Sequence, residues 1–173
     1  MNCPSCGAPM RLDESKDYFE CDYCKNLCCP DKNEEGIQVL GEPASLDCPV
    51  CAVPLVHAAA AGMRFLYCER CRGMLLPMSV FVALVKDFRT QLGAPSIVQR
   101  PADPRDLQRQ LNCPCCHERM DTHPYCGPGN VIIDSCSKCQ TDWLDHNELL
   151  RIVRAPDHQL DVEEWAPAPK PVD

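Results

Sequence analysis

Six Cys-x-x-Cys pairs constrain the fold of this chain more than any other feature of its sequence. They form three successive units of two pairs each, and the spacers between the two pairs are 14, 16 and 19 residues long. Two thiolates on one tight turn can face a single ion, and two such turns complete a tetrahedral site. The spacing therefore predicts three four-cysteine zinc sites. The predicted ligands are Cys3, Cys6, Cys21 and Cys24 in unit one, Cys48, Cys51, Cys68 and Cys71 in unit two, and Cys113, Cys116, Cys136 and Cys139 in unit three.

The composition supports units that are too small to fold around an apolar core alone. Aromatic residues make up only 6% of the chain, whereas cysteine occurs 16 times in 173 residues. Small units of this kind need disulfides or metal ions for stability. No leader-like segment precedes Cys3, so we expect a reduced, cytoplasmic protein whose paired cysteines bind metal.

The predicted fold class is small, metal-stabilised α+β, with three tandem zinc ribbons built on β-hairpin knuckles. A helix follows the second ribbon and another follows the third. The predicted segments are ribbon one at 1–42, ribbon two with an apolar helix at 43–92, a linker at 93–110, ribbon three with its helix at 111–154, and a disordered, acidic, proline-rich tail at 155–173.

Short β-favouring runs and two helical patterns lie around the knuckles. The sequence predicts a helix over Val80–Leu92 with an apolar stripe at helical spacing, and a second helix capped by Asp145 with Glu148 three residues later. Gly7 suits the positive φ of a knuckle turn, and the other knuckles lack this glycine, so we expect their turns to be slightly strained. The predicted strands are Tyr18–Glu20, Ile37–Leu40, Met63–Tyr67 and Val131–Ile133.

Units two and three resemble the transcription-factor-IIB-type zinc ribbon family of small bacterial and archaeal proteins. Unit three carries the motifs Cys113-Pro114-Cys115-Cys116, Cys136-Ser137-Lys138-Cys139, Trp143-Leu144-Asp145 and Glu148-Leu149. Unit two is a diverged copy, with Leu75-Leu76 where the family has Trp-Leu, and unit one resembles a general zinc ribbon. The resemblance implies zinc and a ribbon fold, but not transcription initiation, because one fold hosts many functions.

Two questions about the cysteines stay open at this level. Iron bound as in rubredoxins is the alternative to zinc, since both metals use similar knuckles. The spare cysteines are either small packed thiols or parts of a redox or metal sensor. These spare cysteines are Cys28, Cys29, Cys115 and Cys126.

Charge and motif content favour a binding protein over an enzyme. The net charge is −8, and three four-thiolate zinc sites at −2 each would bring it to −14 (−8 plus 3 × −2), which disfavours nucleic acid or a membrane as a partner. Four thiolates close each metal site, and no catalytic motif accompanies them. We therefore predict a zinc-stabilised adaptor for another protein, with self-association through the Val80–Leu92 helix as a further expectation. The nucleic-acid alternative depends on the basic residues of unit two, which are Arg64, Arg70, Arg72, Lys86 and Arg89.

Overall fold

The structure is a computed structural model, and it describes residues 1–13, 18–92, 101, 104–125 and 130–155. These residues form two antiparallel sheets and two α-helices. The predicted fold class, a small metal-stabilised α+β protein with two ribbons followed by helices, is confirmed. The predicted C-terminal tail, the start of the predicted linker and Cys126 lie outside the described residues.

Unit one folds into a sheet of three short strands. These are β1 (Met10–Leu12), β2 (Phe19–Cys21) and β3 (Leu27–Cys28), in the order β1-β2-β3. In the described part of the chain, β3 is paired on one side only and forms an edge of this sheet.

Units two and three share one sheet of seven strands in the order β4-β5-β6-β7-β10-β9-β8. The first strand, β4, spans the predicted boundary between units one and two and pairs with β5. The predicted segment boundaries themselves stay a prediction. The remaining elements are β4 (Gln38–Asp47), β5 (Pro54–Ala60), β6 (Met63–Tyr67), β7 (Met74–Pro77), α1 (Met78–Leu92), β8 (Asp121–Pro124), β9 (Ile132–Cys136), β10 (Thr141–Leu144) and α2 (Glu148–Arg154).

The same ribbon occurs three times with the same register. Each unit contains a hairpin between its two Cys-x-x-Cys pairs and a third strand that follows the second pair. The third strand pairs with the second at equivalent positions, seven residues after the first cysteine of that pair. These pairs are Phe19 with Cys28, Leu66 with Leu75, and Asp134 with Trp143.

The third strands of units two and three join the two ribbons. Strand β7 pairs antiparallel with β10, and Leu75 lies opposite Trp143. These two residues occupy the same position in their respective ribbons, so the junction has the self-complementary geometry of a two-fold axis. Units two and three therefore pack as an internal pseudo-dimer.

The apolar stripe of α1 is buried inside the chain. Phe81, Leu84 and Phe88 pack in one core with residues of the sheet and of α2. Among the exposed large apolar residues of the described chain, Val82 is the one on this helix, with 67% exposure. The helix contacts both the sheet and α2, and these three stripe residues are already covered within the chain. Self-association through the helix stays a prediction.

The start of α2 differs from the predicted cap. The residue before the helix is Asn147, with a left-handed φ of 69°, and the Asp145 carboxylate does not cap the helix. Instead, Glu148 Oε2 accepts a hydrogen bond from the Asp145 N–H at 2.8 Å, which is one half of the predicted capping box. The Asp145 carboxylate is used elsewhere, because it accepts hydrogen bonds from Trp143 Nε1 and from Arg109.

Two polar contacts attach unit one to the other units. The buried Glu35 accepts a hydrogen bond from the Asn147 N–H at 2.9 Å, and its other oxygen lies 3.1 Å from His146 Nδ1. Arg64 Nη2 donates to the Asp13 carbonyl oxygen at 2.6 Å. Unit one is therefore held at a defined position, although its sheet is separate.

Candidate metal centres

Each predicted set of four cysteines comes together in space. Within each set, all four sulfur atoms lie within 4.8 Å of one another. In site one, two sulfur pairs are 3.5 Å apart, Cys3 with Cys24 and Cys6 with Cys21. In sites two and three, Cys48 and Cys71, and Cys116 and Cys136, are each 3.6 Å apart. A tetrahedral zinc ion with bonds of about 2.3 Å holds its sulfurs about 3.8 Å apart. The donor type and the spacing therefore fit one zinc ion at each of the three sites.

The same pair of backbone hydrogen bonds shapes five of the six knuckles. In site two, the Cys48 N–H donates to the Val53 carbonyl at 2.8 Å, and the Ala52 N–H donates back to the Cys48 carbonyl at 2.9 Å. This closed turn requires a left-handed residue four positions after the first cysteine. The residues at that position are Gly7 (φ 74°), Lys25 (φ 59°), Ala52 (φ 51°), Arg72 (φ 62°), His117 (φ 61°) and Gln140 (φ 56°).

The strain predicted for knuckles without glycine is therefore present at five positions. A left-handed backbone costs a residue with a Cβ atom roughly 1–2 kcal/mol, whereas glycine adopts it freely. Metal binding contributes far more than this, about 10–16 kcal/mol at a structural zinc site. The sites can therefore hold non-glycine residues in these turns.

Amide groups directed at sulfur prepare some of the thiols for metal binding. Burial raises the pKa of Cys113, but the N–H groups of Cys116 and Cys115 donate to its sulfur and bring the pKa down to about 7. Burial likewise opposes ionisation of Cys3, and the N–H groups of Ser5 and Cys6 lower its pKa to about 6. These hydrogen bonds favour the thiolate form that binds zinc.

Other thiols in the same sites resist ionisation without a cation. Burial raises the pKa of Cys48 to about 11. The Ala8 N–H lowers the pKa of Cys6, but burial and hydrogen bonding to Cys24 and other site-one thiols raise it to about 12. Four clustered thiolates repel one another, so a divalent cation is required before all four can be ionised together.

Comparison with protein families identifies one of the three units directly. The family described as the transcription factor zinc-finger, a TFIIB-type zinc ribbon, matches residues 47–86. Residues 47–86 are therefore similar to a TFIIB-type zinc ribbon. The match falls on unit two, which the sequence motifs present as the diverged copy. Comparisons with curated proteins and with solved structures find no significant match.

Site two shares its apolar surroundings with site three. Trp143 is fully buried and lies in one cluster with Leu75 and with cysteines of both sites. Trp143 therefore belongs to the apolar surroundings of both sites and not of site three alone. Gly73 makes this possible, since a Cβ atom there would lie 2.3 Å from Trp143 Cζ2. The site cysteines in this cluster are Cys48, Cys51, Cys68, Cys71, Cys113, Cys116, Cys136 and Cys139.

The sequence gives no indication of one polar network beside site three. Arg109 donates to Asp134 at 2.5 Å and also to Asp145, and Asp134 is completely buried. The Thr122 hydroxyl lies within hydrogen-bond distance of the other oxygen of Asp134 and of the Arg109 carbonyl, and it donates its single proton to one of them at a time. Arg109 lies in the stretch predicted as a linker. Nothing in its local sequence distinguishes it from the other charged residues there or indicates a buried partner.

The described spare cysteines do not assemble into a fourth group. Cys28 is half-buried against the core of unit one, whereas Cys29 and Cys115 are exposed. Cys115 lies within the first knuckle of site three, next to the ligand Cys116. A redox or metal-sensing role for these thiols stays a prediction.

Proposed function

We propose that this chain is a zinc-stabilised adaptor that binds another protein, and that it is not an enzyme. Each site offers four thiolates to one ion, which fills a tetrahedral coordination shell and is typical of structural zinc. Catalytic zinc keeps a position for water or substrate. The metal ions therefore serve to hold surfaces in place.

The exposed aromatic side chain on unit one carries this proposal. Tyr23 lies at the tip of the second knuckle of site one and is 84% exposed. At the equivalent knuckle position, units two and three have Arg70 and Lys138, which are ordinary solvated residues. Tyrosine is enriched at protein interfaces because it combines a large apolar ring with a polar hydroxyl group. A rigid, zinc-held turn presents this ring at low conformational cost.

The charges around Tyr23 indicate what kind of partner suits it. Asp22 pairs with Arg11 at 3.2 Å, and Lys25 pairs with Glu20 at 3.6 Å, so both sides of the knuckle carry balanced charges. A partner with an apolar pocket for the ring and a polar rim fits this surface. A nucleic acid, which needs a surplus of positive charge, fits it poorly.

The basic residues of unit two also favour the adaptor over the nucleic-acid alternative. Arg64 donates to a carbonyl of unit one, Arg89 donates to the Ile152 carbonyl at 3.0 Å, and Arg72 lies 3.9 Å from Glu34. These side chains serve contacts within the chain at separate places. Dispersed basic residues do not provide the continuous patch that phosphate recognition requires.

No helix in the described residues is long and apolar enough to cross a membrane. A cytoplasmic location is part of the proposal. It is supported by the cysteines of the described residues, which are free or grouped for metal and not joined in disulfides.

The decisive experiment compares two exposed apolar residues. Tagged wild type, Tyr23→Ser and Val82→Ser are expressed in the native cell, and captured proteins are quantified by mass spectrometry. We expect Tyr23→Ser to lose at least one partner by tenfold or more, and Val82→Ser, on the outer side of α1, to retain it. Zinc content should stay near three equivalents in all three proteins. A partner set that is unchanged in Tyr23→Ser would remove the basis of the proposal.

A further inference from the structure

The third strand of each ribbon is paired in two units and open in the other. In units two and three, this strand is buried at the junction, and Met74, Leu75 and Leu76 are each at most 3% exposed. The equivalent residues of unit one are Leu27, which is 54% exposed, half-buried Cys28 and exposed Cys29. The segment Leu-Cys-Cys-Pro at 27–30 thus corresponds to Met-Leu-Leu-Pro at 74–77.

We propose that the open edge of unit one pairs with the same edge of a second copy of this chain. The junction between β7 and β10 shows that this ribbon can pair through its third strand around a two-fold axis. Two identical chains would form the same arrangement with true two-fold symmetry. This interface lies on β3 and borders the Tyr23 knuckle at Lys25, but it does not use the Tyr23 ring, so the inference goes beyond the proposed adaptor function and does not depend on it.

The internal junction fixes the register of the proposed dimer. Leu75 and Trp143, the pair on the internal axis, both correspond to Cys28 of unit one. The same register therefore places Cys28 opposite Cys28 of the second copy, and Leu27 opposite Cys29. Proline at position 30 is compatible with this pairing, because Pro77 lies opposite Thr141 at the internal junction.

Charge complementarity favours a second copy as the occupant of this edge. In the inferred register, Lys25 of one chain lies opposite Asp31 of the other, and two-fold symmetry makes this pair twice. Both residues are exposed, and Lys25, which lies 3.6 Å from Glu20 of its own chain, would face two carboxylates at the interface. Opposite charges across antiparallel strands stabilise the pairing, whereas like charges weaken it. The exposed Leu27 side chains would gain cover at the same interface.

The first test is the mass of the zinc-loaded full chain in solution. Sedimentation velocity from about 1 to 200 µM protein should show a concentration-dependent species of twice the 19.4 kDa chain. Leu27→Lys should shift the midpoint of this transition at least tenfold higher and leave three zinc ions bound. A wild-type chain that stays monomeric over the whole range would overturn the proposal.

The second test reads the register through Cys28. Mild treatment with diamide takes two electrons and two protons from a pair of opposed thiols, so a disulfide forms and the diazene becomes a hydrazine. Opposed positions in antiparallel strands lie about 4.5–5.5 Å apart at Cα, within the range that a disulfide spans. We expect a covalent dimer with a Cys28–Cys28 peptide in the mass spectrum. It should be lost in Cys28→Ser and retained in Cys29→Ser and Cys115→Ser.

Linkage through Cys29 or Cys115 alone would contradict the inferred register.

A charge exchange separates interface effects from effects on folding. Lys25→Asp and Asp31→Lys should each weaken the dimer, and the double variant should restore it to within about twofold of wild type. A double variant weaker than both single variants would overturn the proposed pairing.

Discussion

In units two and three, the third strand of each ribbon is buried against its equivalent, whereas the same strand of unit one lies at an open edge. The two helices share one apolar core with the joined sheet, and unit one has no helix in its described residues. Site one is also more open, because Cys6 and Cys24 are exposed, whereas no ligand of sites two and three is exposed.

The same ribbon thus serves two purposes in one chain. Pairing joins units two and three into one body with a continuous apolar core, to which α1 and α2 contribute. We call this body, which comprises the seven-stranded sheet and the two helices, the platform. Unit one retains only its small cluster around Phe19 and depends more on its metal ion. Its uncovered knuckle and edge are free to make contacts with other molecules.

Removing zinc should have the largest effect of any perturbation, and it should affect unit one first. Each structural site contributes about 10–16 kcal/mol in small fingers, and unit one has the smallest core to replace it. We expect elemental analysis to give three zinc ions per chain. A strong chelator should abolish amide chemical-shift dispersion in residues of β1 to β3 before it affects α1. Native dispersion in unit one after confirmed loss of zinc would contradict this expectation.

Truncating the residue on the internal axis should break the platform. Trp143→Ala removes a fully buried side chain and should lower the free energy of unfolding by about 3–5 kcal/mol. Cys28→Ala, at the equivalent position of unit one, is the matched control and should cost about 1 kcal/mol or less. Denaturant unfolding of the zinc-loaded proteins measures both. Equal losses would show that the two positions are packed alike.

A buried carboxyl group at the start of α2 should make the platform sensitive to pH. Burial raises the pKa of Glu148 from its ordinary value of 4.5 to about 8. The folded state therefore holds this proton more tightly than the unfolded state, so the contribution of Glu148 to stability decreases as pH rises from 4.5 to 8. Glu148→Gln keeps an acceptor for the Asp145 N–H and removes the ionisation.

We expect the Gln variant to gain stability relative to wild type as pH rises through this interval, by about 1 kcal/mol or more at pH 8. The comparison between variant and wild type cancels the pH dependence of the zinc ligands, which both proteins share. Thermal unfolding at several pH values measures the difference. A constant difference between the two proteins from pH 5 to pH 9 would show that Glu148 does not titrate in this way.

The smallest effects should come from exchanging glycine between equivalent knuckles. Ala52→Gly should stabilise unit two by about 0.5–1 kcal/mol, because glycine relieves the left-handed strain. Gly7→Ala should destabilise unit one by a similar amount, because the φ of this residue is 74°. No atom lies within 4 Å of the added Cβ atom, so the loss would come from backbone strain and not from a steric clash. Zinc competition with a chromophoric chelator can resolve both shifts. Changes of the same sign at the two positions would argue against a backbone origin.

Local sequence patterns were sufficient to predict much of the ribbon structure. Cysteine spacing selects the turns that bring four sulfurs together, and the strand predicted at Met63–Tyr67 has the bounds seen in the structure. The positive φ angles four residues after the first cysteine of each pair could also be predicted, because Gly7 indicates the turn that all six pairs share. The strand predicted at Ile37–Leu40 is instead the ten-residue β4, because pairing with β5 extends it.

The pairing of units two and three could not be read from local sequence. Leu75 and Trp143 are 68 positions apart, and the periodicity of either strand gives no information about its neighbour in the sheet. The family resemblance of unit three is clearest at Trp143-Leu144-Asp145, yet this motif serves the junction and the network with Arg109. Capping by Asp145 was predicted wrongly because tertiary partners compete for its carboxylate.

The shared cluster around Trp143 has a consequence for metal uptake. Cysteines of sites two and three lie in one apolar cluster with the Trp143 indole, so we expect that filling either site orders part of the surroundings of the other. Occupancy of these two sites should therefore rise together over a narrow range of free zinc, whereas site one fills on its own curve. As zinc becomes scarce, we expect the platform to lose both ions and its folded structure together. Chains with a single ion in the platform should therefore be rare.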